Sequence, residues 1–428
     1  MGETRRAWLI VALVFLFMLI NFADKAVIGL SAVPIMRELH LTNIQFGTLG
    51  SAFFLLFSLS SVLDGFVANK IRTKPLLLAL ALVWAAAQAP MAGAVTFTTL
   101  LAARVLLGAG EGPAFPLALH AVYKWFDDTH RTVPTSVVAC GAAFGAGIVA
   151  PAITAIIVHF SWHAAFGTLA MASLLWAALW AILGAEGKVD VADRSTNVAH
   201  ARQPYGKLLL GRTALAVFIG GFAAYWAITL NVTWLAAYLT RDAGYTATQA
   251  GWIIVLPSFA QIVIAPAVGA WSERMIRRGA SSRWARGVLG GCCLGAAGVS
   301  MAFFPLTDAL VLKIPLVVIA FSAGSVFFTL GSTLIGEISP PAQRGAMLGI
   351  TNSIHALAGV VAPVVMGAII DLSANGTGFH RGFLLGGTVL VIGGIVVATL
   401  ANPEREGVKL PGPEETSRAS QPRAETAP

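Results

Sequence analysis

The chain has 428 residues, of which 57% are hydrophobic and only 11% charged, where ordinary soluble domains carry roughly 25% charged residues. That balance excludes a water-soluble globular protein and points to an integral membrane protein. A net charge of +8 would suit a nucleic-acid binder, but the basic residues fall where membrane topology puts them, so no nucleic-acid partner is expected.

Crossing a hydrocarbon core of ~30 Å takes about 20 helical residues. Apolar runs of that length predict spans at 8–33, 46–67, 75–95, 97–123, 132–158, 161–183, 213–239, 249–271, 287–306, 309–336, 344–370 and 381–401. The first follows Arg5 and Arg6 as a signal peptide would. It is nevertheless too long, carries Asp24 and Lys25 and lacks a small-residue cleavage site, so it reads as a retained helix. Cys140, Cys292 and Cys293 lie in or beside spans, and neither a disulfide framework nor a metal site is expected from them.

With both termini placed in the cytoplasm, the inner segments hold Lys70, Arg72, Lys74, Lys124, Arg131, Lys188, Arg194, Arg202, Lys207, Arg212, Arg274, Arg277, Arg278, Arg283, Arg286 and Arg344. The outer ones hold only Arg37, Arg241, Lys313 and Arg381. This asymmetry is the positive-inside rule, and without an evident presequence a bacterial inner membrane is expected rather than an organelle.

Residues 184–212 are the longest polar interruption and divide the spans six and six. The expected organisation is a first bundle at 1–183, a cytoplasmic linker at 184–212, a second bundle at 213–401 and a disordered cytoplasmic tail at 402–428. The halves echo each other. Gly65 to Lys74, with Asn69-Lys70 and Arg72, is answered by Gly269 to Arg278, with Glu273-Arg274, and Gly147-IVA-Pro151 by Gly359-VVA-Pro363. Duplicated six-helix bundles are a transporter layout in which the site lies between the halves at mid-membrane. Glycines and prolines from Gly108 to Pro116 permit a bent or partly unwound fourth helix, and the protein is expected to function as a monomer.

Few ionisable residues lie deep in the spans: Asp24 and Lys25 in the first, Arg104 and Glu111 in the fourth, with His120 and His355 as lesser cases. A charge at the bilayer centre costs several kcal/mol, so such groups normally face a wet cavity or one another and carry function. Arg104 and Glu111 are seven residues apart on one helix face, roughly 10 Å along the axis and too far to pair directly. Counting from the outer ends places Arg104, Asp24 and Glu111 at depths of roughly 10, 14 and 21 Å, one shared band. Two acids and two bases sum to zero, and protonating the acids leaves two cations that would attract an anion. The alternative is an ion pair that only locks helices together.

Asn21 and Asn352 could bridge helices or bind a ligand, and Phe22 lies beside the charges. Tyr225, Trp226 and Trp234 could form a ligand wall or simply pack. His355 lines the cavity or packs, His120 reads as interfacial, and Asp64 and Glu273 fit loop-gating motifs. An enzyme is not expected, since no nucleophile or metal motif is present, and no Walker loop points to ATP.

The runs N-F-A-D-K at 21–25, R-V-L-L-G-A-G-E-G-P at 104–113, S-W-H-A-A-F at 161–166 and G-I-T-N-S with G-V-V-A-P at 349–363 resemble the anion:cation symporter branch of the major facilitator superfamily. The resemblance covers residues 8 to about 400. It implies an all-α membrane protein of twelve helices in two pseudo-symmetric six-helix bundles, importing an organic anion through alternating access. The substrate would be a monocarboxylate or sugar-acid-like compound, and no cofactor is implied. A proton gradient would be the driving force, with sodium as the other coupling ion. The resemblance assigns proton coupling to Asp24 and Glu111, anion holding to Lys25, coupling to Arg104 and substrate contact to Asn352.

The branch usually has Tyr-x-Asp-Arg where this chain has Phe22-Ala23-Asp24-Lys25. A hydroxyl is therefore absent and a bidentate fork becomes a point charge, which favours a less hydroxylated carboxylate. Asn69 likewise replaces the usual aspartate of the interhelix motif. An exporter or antiporter shares the fold, but its fifth-helix motif is absent from GAAFGAGIVAPAI.

Overall fold

The computed structural model describes residues 3–67, 72–126, 132–187, 203–340, 343–373 and 376–406, with the backbone alone at 62–67 and 132. Asn69, Lys70, most of the expected linker and the tail beyond 406 lie outside these residues, as does the side chain of Asp64.

Twelve helices are long and apolar enough to cross a membrane: α1 (Glu3–Leu30), α2 (Asn43–Ser61), α3 (Thr73–Ala92), α4 (Phe97–Tyr123), α5 (Val133–His159), α6 (Trp162–Leu183), α7 (Arg212–Arg241), α8 (Ala247–Arg277), α9 (Arg283–Leu306), α10 (Leu310–Ile338), α11 (Arg344–Leu372) and α12 (Gly378–Leu400). The described residues contain no strand. Helices satisfy every backbone group within the segment, which hydrocarbon demands.

Side chains close several helix starts. Thr96, Ser161 and Thr246 accept from the backbone N–H three residues on, and Gln249 completes a capping box with Thr246.

Two of the departures from a plain α-helical span bear on the site. The first apolar run does not continue to residue 33: α1 ends at Leu30, and a short helix (Ala32–Glu38) follows Ser31. Pro34 explains the break, since it has no N–H to give Leu30 and its ring would crowd that carbonyl. In α4 the helix runs from Phe97 to Glu111 and resumes at Ala114, with Gly112 and Pro113 between. The regular helix is thus interrupted immediately after Glu111, where Pro116 cannot donate to the Gly112 carbonyl.

With twelve crossings, both ends of the described chain lie on one face. Helices α1 to α6 form one bundle and α7 to α12 the other. They meet chiefly where α2 packs on α11, α5 on α8 and α1 on the far end of α7. Glycine makes these approaches possible: a Cβ at Gly29 would overlap the Val232 carbonyl, one at Gly47 the Pro363 carbonyl, and one at Gly367 the Asn43 carbonyl.

One hydrophobic core joins both bundles on the side away from the termini, while a second is built from buried residues of the first bundle alone. Among the described residues, the hydrogen bonds crossing between bundles also lie on that far face. Asp371 at the end of α11 accepts from Asn43 N (3.2 Å), Asn43 Nδ2 (2.7 Å) and Ile44 N (2.8 Å). Arg241 of α7 donates to Asn43 Oδ1 (2.8 Å).

On α11, Gly359 packs on Phe54 of the first bundle, yet Asn352, seven residues nearer the termini on the same helix face, is exposed. The bundles are closed on the far face and diverge towards the termini.

Candidate functional site

The middle of α1 presents Asn21, Phe22, Asp24 and Lys25 to α4. Asn21 and Lys25 are one turn apart, and Lys25 Nζ donates to Asn21 Oδ1 at 2.6 Å. The same ammonium forms an ion pair with Glu111 Oε2 at 2.5 Å and lies 4.4 Å from the Phe22 ring centroid and 5.5 Å from that of Phe57. Arg104 stacks over Phe53 at 4.5 Å.

All four charges are buried, with exposures of 0% for Asp24, 1% for Glu111, 2% for Arg104 and 8% for Lys25. Water therefore supplies little of their stabilisation. Arg104 makes no ion pair among the described residues, and its Nε and Nη1 have no hydrogen-bond partner there. Among the described residues neither oxygen of Asp24 has a hydrogen-bond partner, nor has Glu111 Oε1. Lys25, Arg104 and Glu111 all lie within electrostatic reach of Asp24.

The expected band of four charges is thus a physical cluster. Within it Glu111 is held by Lys25, while Arg104 has no acid in contact among the described residues. The spacing argument against a direct Arg104–Glu111 pair agrees with this arrangement. Breaking a buried pair such as Lys25–Glu111 by removing one partner costs about 3–5 kcal/mol, so the loss of charge on Glu111 releases Lys25 for another anion.

The second bundle supplies the facing wall. Tyr225 of α7 sits edge-on to Phe54 of α2 (5.7 Å) and Phe328 of α10 (6.1 Å) and is close enough to Glu111 to feel its charge. Trp226 is buried against Phe222 and Gly386 inside the second bundle, its indole N–H without a hydrogen-bond partner among the described residues. Trp234 donates to the Pro363 carbonyl at 3.0 Å, which binds α7 to α11.

His355 is buried and turned to α7, where Nε2 lies 3.1 Å from the Val217 carbonyl oxygen. It is not brought to the charge cluster. Asn352 is not in contact with the cluster either; it lies towards the termini, where the bundles diverge. His120 lies near Lys124 and Glu186 at the termini face. Glu273 pairs with Arg277 at 3.8 Å on an exposed helix end.

Three contributors escaped the sequence reading. Phe53 and Phe57 give the cations aromatic faces. Gln88 of α3 is only 1% exposed and lies beside Asp24, yet among the described residues neither of its amide atoms is within hydrogen-bond geometry of a partner. The available signal was a lone amide in the apolar run 75–95.

The profile of the Major Facilitator Superfamily matches residues 14–327 and 217–426. The chain belongs to that superfamily. It is a multi-pass transporter rather than an enzyme.

Among curated proteins, a probable sulfoacetate transporter of Cupriavidus necator is 28% identical over 90% of this chain and 92% of its own length. A hexuronate transporter of Bacillus subtilis is 24% identical over 92% and 94%, and a D-galactonate transporter of Escherichia coli 25% identical over 91% and 94%. These relatives agree with the resemblance to the organic-anion branch.

The fold matches an inward-facing, occupied bacterial homologue of the lysosomal transporter Spinster, with a TM-score of 0.78 at 17% identity over 95% of this chain and 99% of that one. It also matches a D-xylose–proton symporter, with a TM-score of 0.75 at 15% identity over 93% and 99%.

Proposed function

We propose that this superfamily member imports a small organic anion, a carboxylate, by proton symport through alternating access. The observation that carries the reading is the buried Lys25–Glu111 pair flanked, among the described residues, by a carboxyl without a hydrogen-bond partner at Asp24 and a guanidinium at Arg104 whose Nε and Nη1 have none. A proton on Glu111 dissolves the pair. Lys25 and Arg104 then present two cations to one incoming anion, and with both acids protonated a bound monoanion offsets one of those two charges.

In the cycle, the carrier open on the far face takes protons on Asp24 and Glu111 and binds the anion between Lys25 and Arg104. Tyr225 and Asn352 contribute contacts from the second bundle. The bundles rock, the far face closes as in the structure described here, and the anion leaves on the termini side. Deprotonation re-forms Lys25–Glu111 and permits the empty return. The excess of Lys and Arg on the termini side supports placing that side in the cytoplasm of a bacterial inner membrane.

The relatives named for sulfoacetate, hexuronate and galactonate support a small anion. Phe22 against the Lys25 ammonium, in place of a hydroxyl donor, favours the less hydroxylated end of that range.

The test is accumulation of sulfoacetate, hexuronates, galactonate and simple monocarboxylates in proteoliposomes under an inward proton gradient. The expected result is proton-dependent accumulation of one class, reduced in Glu111→Gln to exchange without net uptake. Accumulation unaffected by the gradient, or by Glu111→Gln, would overturn proton symport through this cluster.

A further inference from the structure

Asp24 and Gln88 are two polar side chains that the fold buries together and leaves without other partners. Asp24 is 0% and Gln88 1% exposed, and among the described residues both carboxyl oxygens and both amide atoms lack hydrogen bonds. Buried polar groups are almost always satisfied, and a pair of orphans side by side calls for an explanation.

Their juxtaposition is built in. The Phe17 and Trp84 rings, 4.4 Å apart, dock α1 on α3. Asp24 lies two turns beyond Phe17, and Gln88 one turn beyond Trp84, both towards the far face. Trp84 is itself fixed by its indole N–H to the Gly110 carbonyl at 2.9 Å, one residue before Glu111. Gln88 is therefore held against Asp24 by the same contact that fixes α3 to the acid-bearing segment of α4.

We propose that Gln88 is the positioning residue of Asp24, its amide serving the buried carboxyl in both states: Nε2–H donates to the carboxylate, and Oε1 accepts from the carboxylic acid. A primary amide carries both functions and no charge, so a rotation of one side chain exchanges the two bonds. The charged groups facing Asp24 are Lys25 on its own helix and Arg104 and Glu111 on α4. The mid-membrane faces of α5, α6 and α7 bring no further charge to it. Gln88 is thus a neutral partner that follows the proton without competing for it.

The inference rests on the reading of Asp24 as a proton carrier, and the experiment separates the two. Infrared difference spectra of the purified full chain in nanodiscs, recorded across a pH series, show the carboxylic acid C=O bands. The Asp24 band is identified as the one lost in Asp24→Asn. In Gln88→Leu, and in Gln88→Met, which keeps the side-chain length, that band should move to the higher frequency of an acid without a hydrogen bond. Charge-assisted bonds are roughly twice as strong as neutral ones, so the carboxylate loses more than the acid. The Asp24 titration midpoint should rise by about half to one pH unit.

An unchanged band position and midpoint in both folded variants would overturn the role of Gln88 while leaving Asp24 as the carrier. The absence of any titrating band lost in Asp24→Asn would overturn the proton-carrier reading and this inference with it.

Discussion

Asp371 joins the two bundles by completing a helix that belongs to the other one. The first turn of α2 has a capping box of its own, in which Thr42 Oγ1 accepts from Gln45 N (3.2 Å) and Gln45 Oε1 from Thr42 N (2.9 Å). That leaves the N–H groups of Asn43 and Ile44, and Asp371 takes both from 328 and 327 residues away. An N-cap oxygen contributes about 1 kcal/mol, and a negative charge at an exposed helix start about 0.3–1 kcal/mol more. Asp371→Ala should therefore remove about 1–2 kcal/mol from the state closed on the far face. It should remove little from the opposite state, where both partners are hydrated.

At about 1.4 kcal/mol per tenfold, the ratio of far-open to far-closed carrier should rise about 5- to 30-fold, and by less in Asp371→Asn, which keeps an acceptor. Double electron–electron resonance can read this ratio. Spin labels would replace exposed Arg37 and Leu372 in a background with Cys140, Cys292 and Cys293 changed to Ser. The longer distance should grow at the expense of the shorter one. A distribution in Asp371→Ala identical to that of the parent would refute the idea that this contact holds the far face closed.

Gly47→Ala should act on the same face by sterics. Its Cβ would overlap the Pro363 carbonyl, and a misfit of about 1–3 kcal/mol would slow anion exchange roughly 5- to 150-fold, measurable in proteoliposomes; exchange at the parent rate would mean that α2 and α11 need not approach this closely.

Glu38→Gln addresses pH. Hydrogen bonds from His163 and then Trp162 hold the Glu38 carboxyl below the usual carboxylate range. A depressed carboxyl contributes stability that is present above its unfolded value, about 4.3, and lost as pH falls through the folded one. The melting temperature of Glu38→Gln should lie below that of the parent at neutral pH and converge with it in acid; a gap that persists in acid would show that the carboxylate charge is not what stabilises this corner.

The sequence by itself determined the twelve crossings, because hydrocarbon tolerates only long apolar helices and such runs cannot be hidden. It determined the four buried charges for the converse reason: Asp24, Lys25, Arg104 and Glu111 are too costly in an apolar run to be incidental. It also placed the interruption in α4, since Gly112, Pro113 and Pro116 are backbone instructions that act locally.

Only the tertiary structure decided which charge meets which. Lys25 reaches Glu111, and Arg104 instead finds the Phe53 ring, because the rotation of α1 against α4 is fixed by packing over many side chains, whereas spacing constrains one helix at a time. His355 had two readings, and its turn towards the Val217 carbonyl is set by Gly221, where the absence of a side chain makes room for the imidazole. Gln88 was inconspicuous as one amide among apolar neighbours until α3 was seen against α1. Asp371 was least legible of all. Polar residues at helix ends are ordinary, and the N–H groups it accepts from belong to a helix more than three hundred residues away in the other bundle.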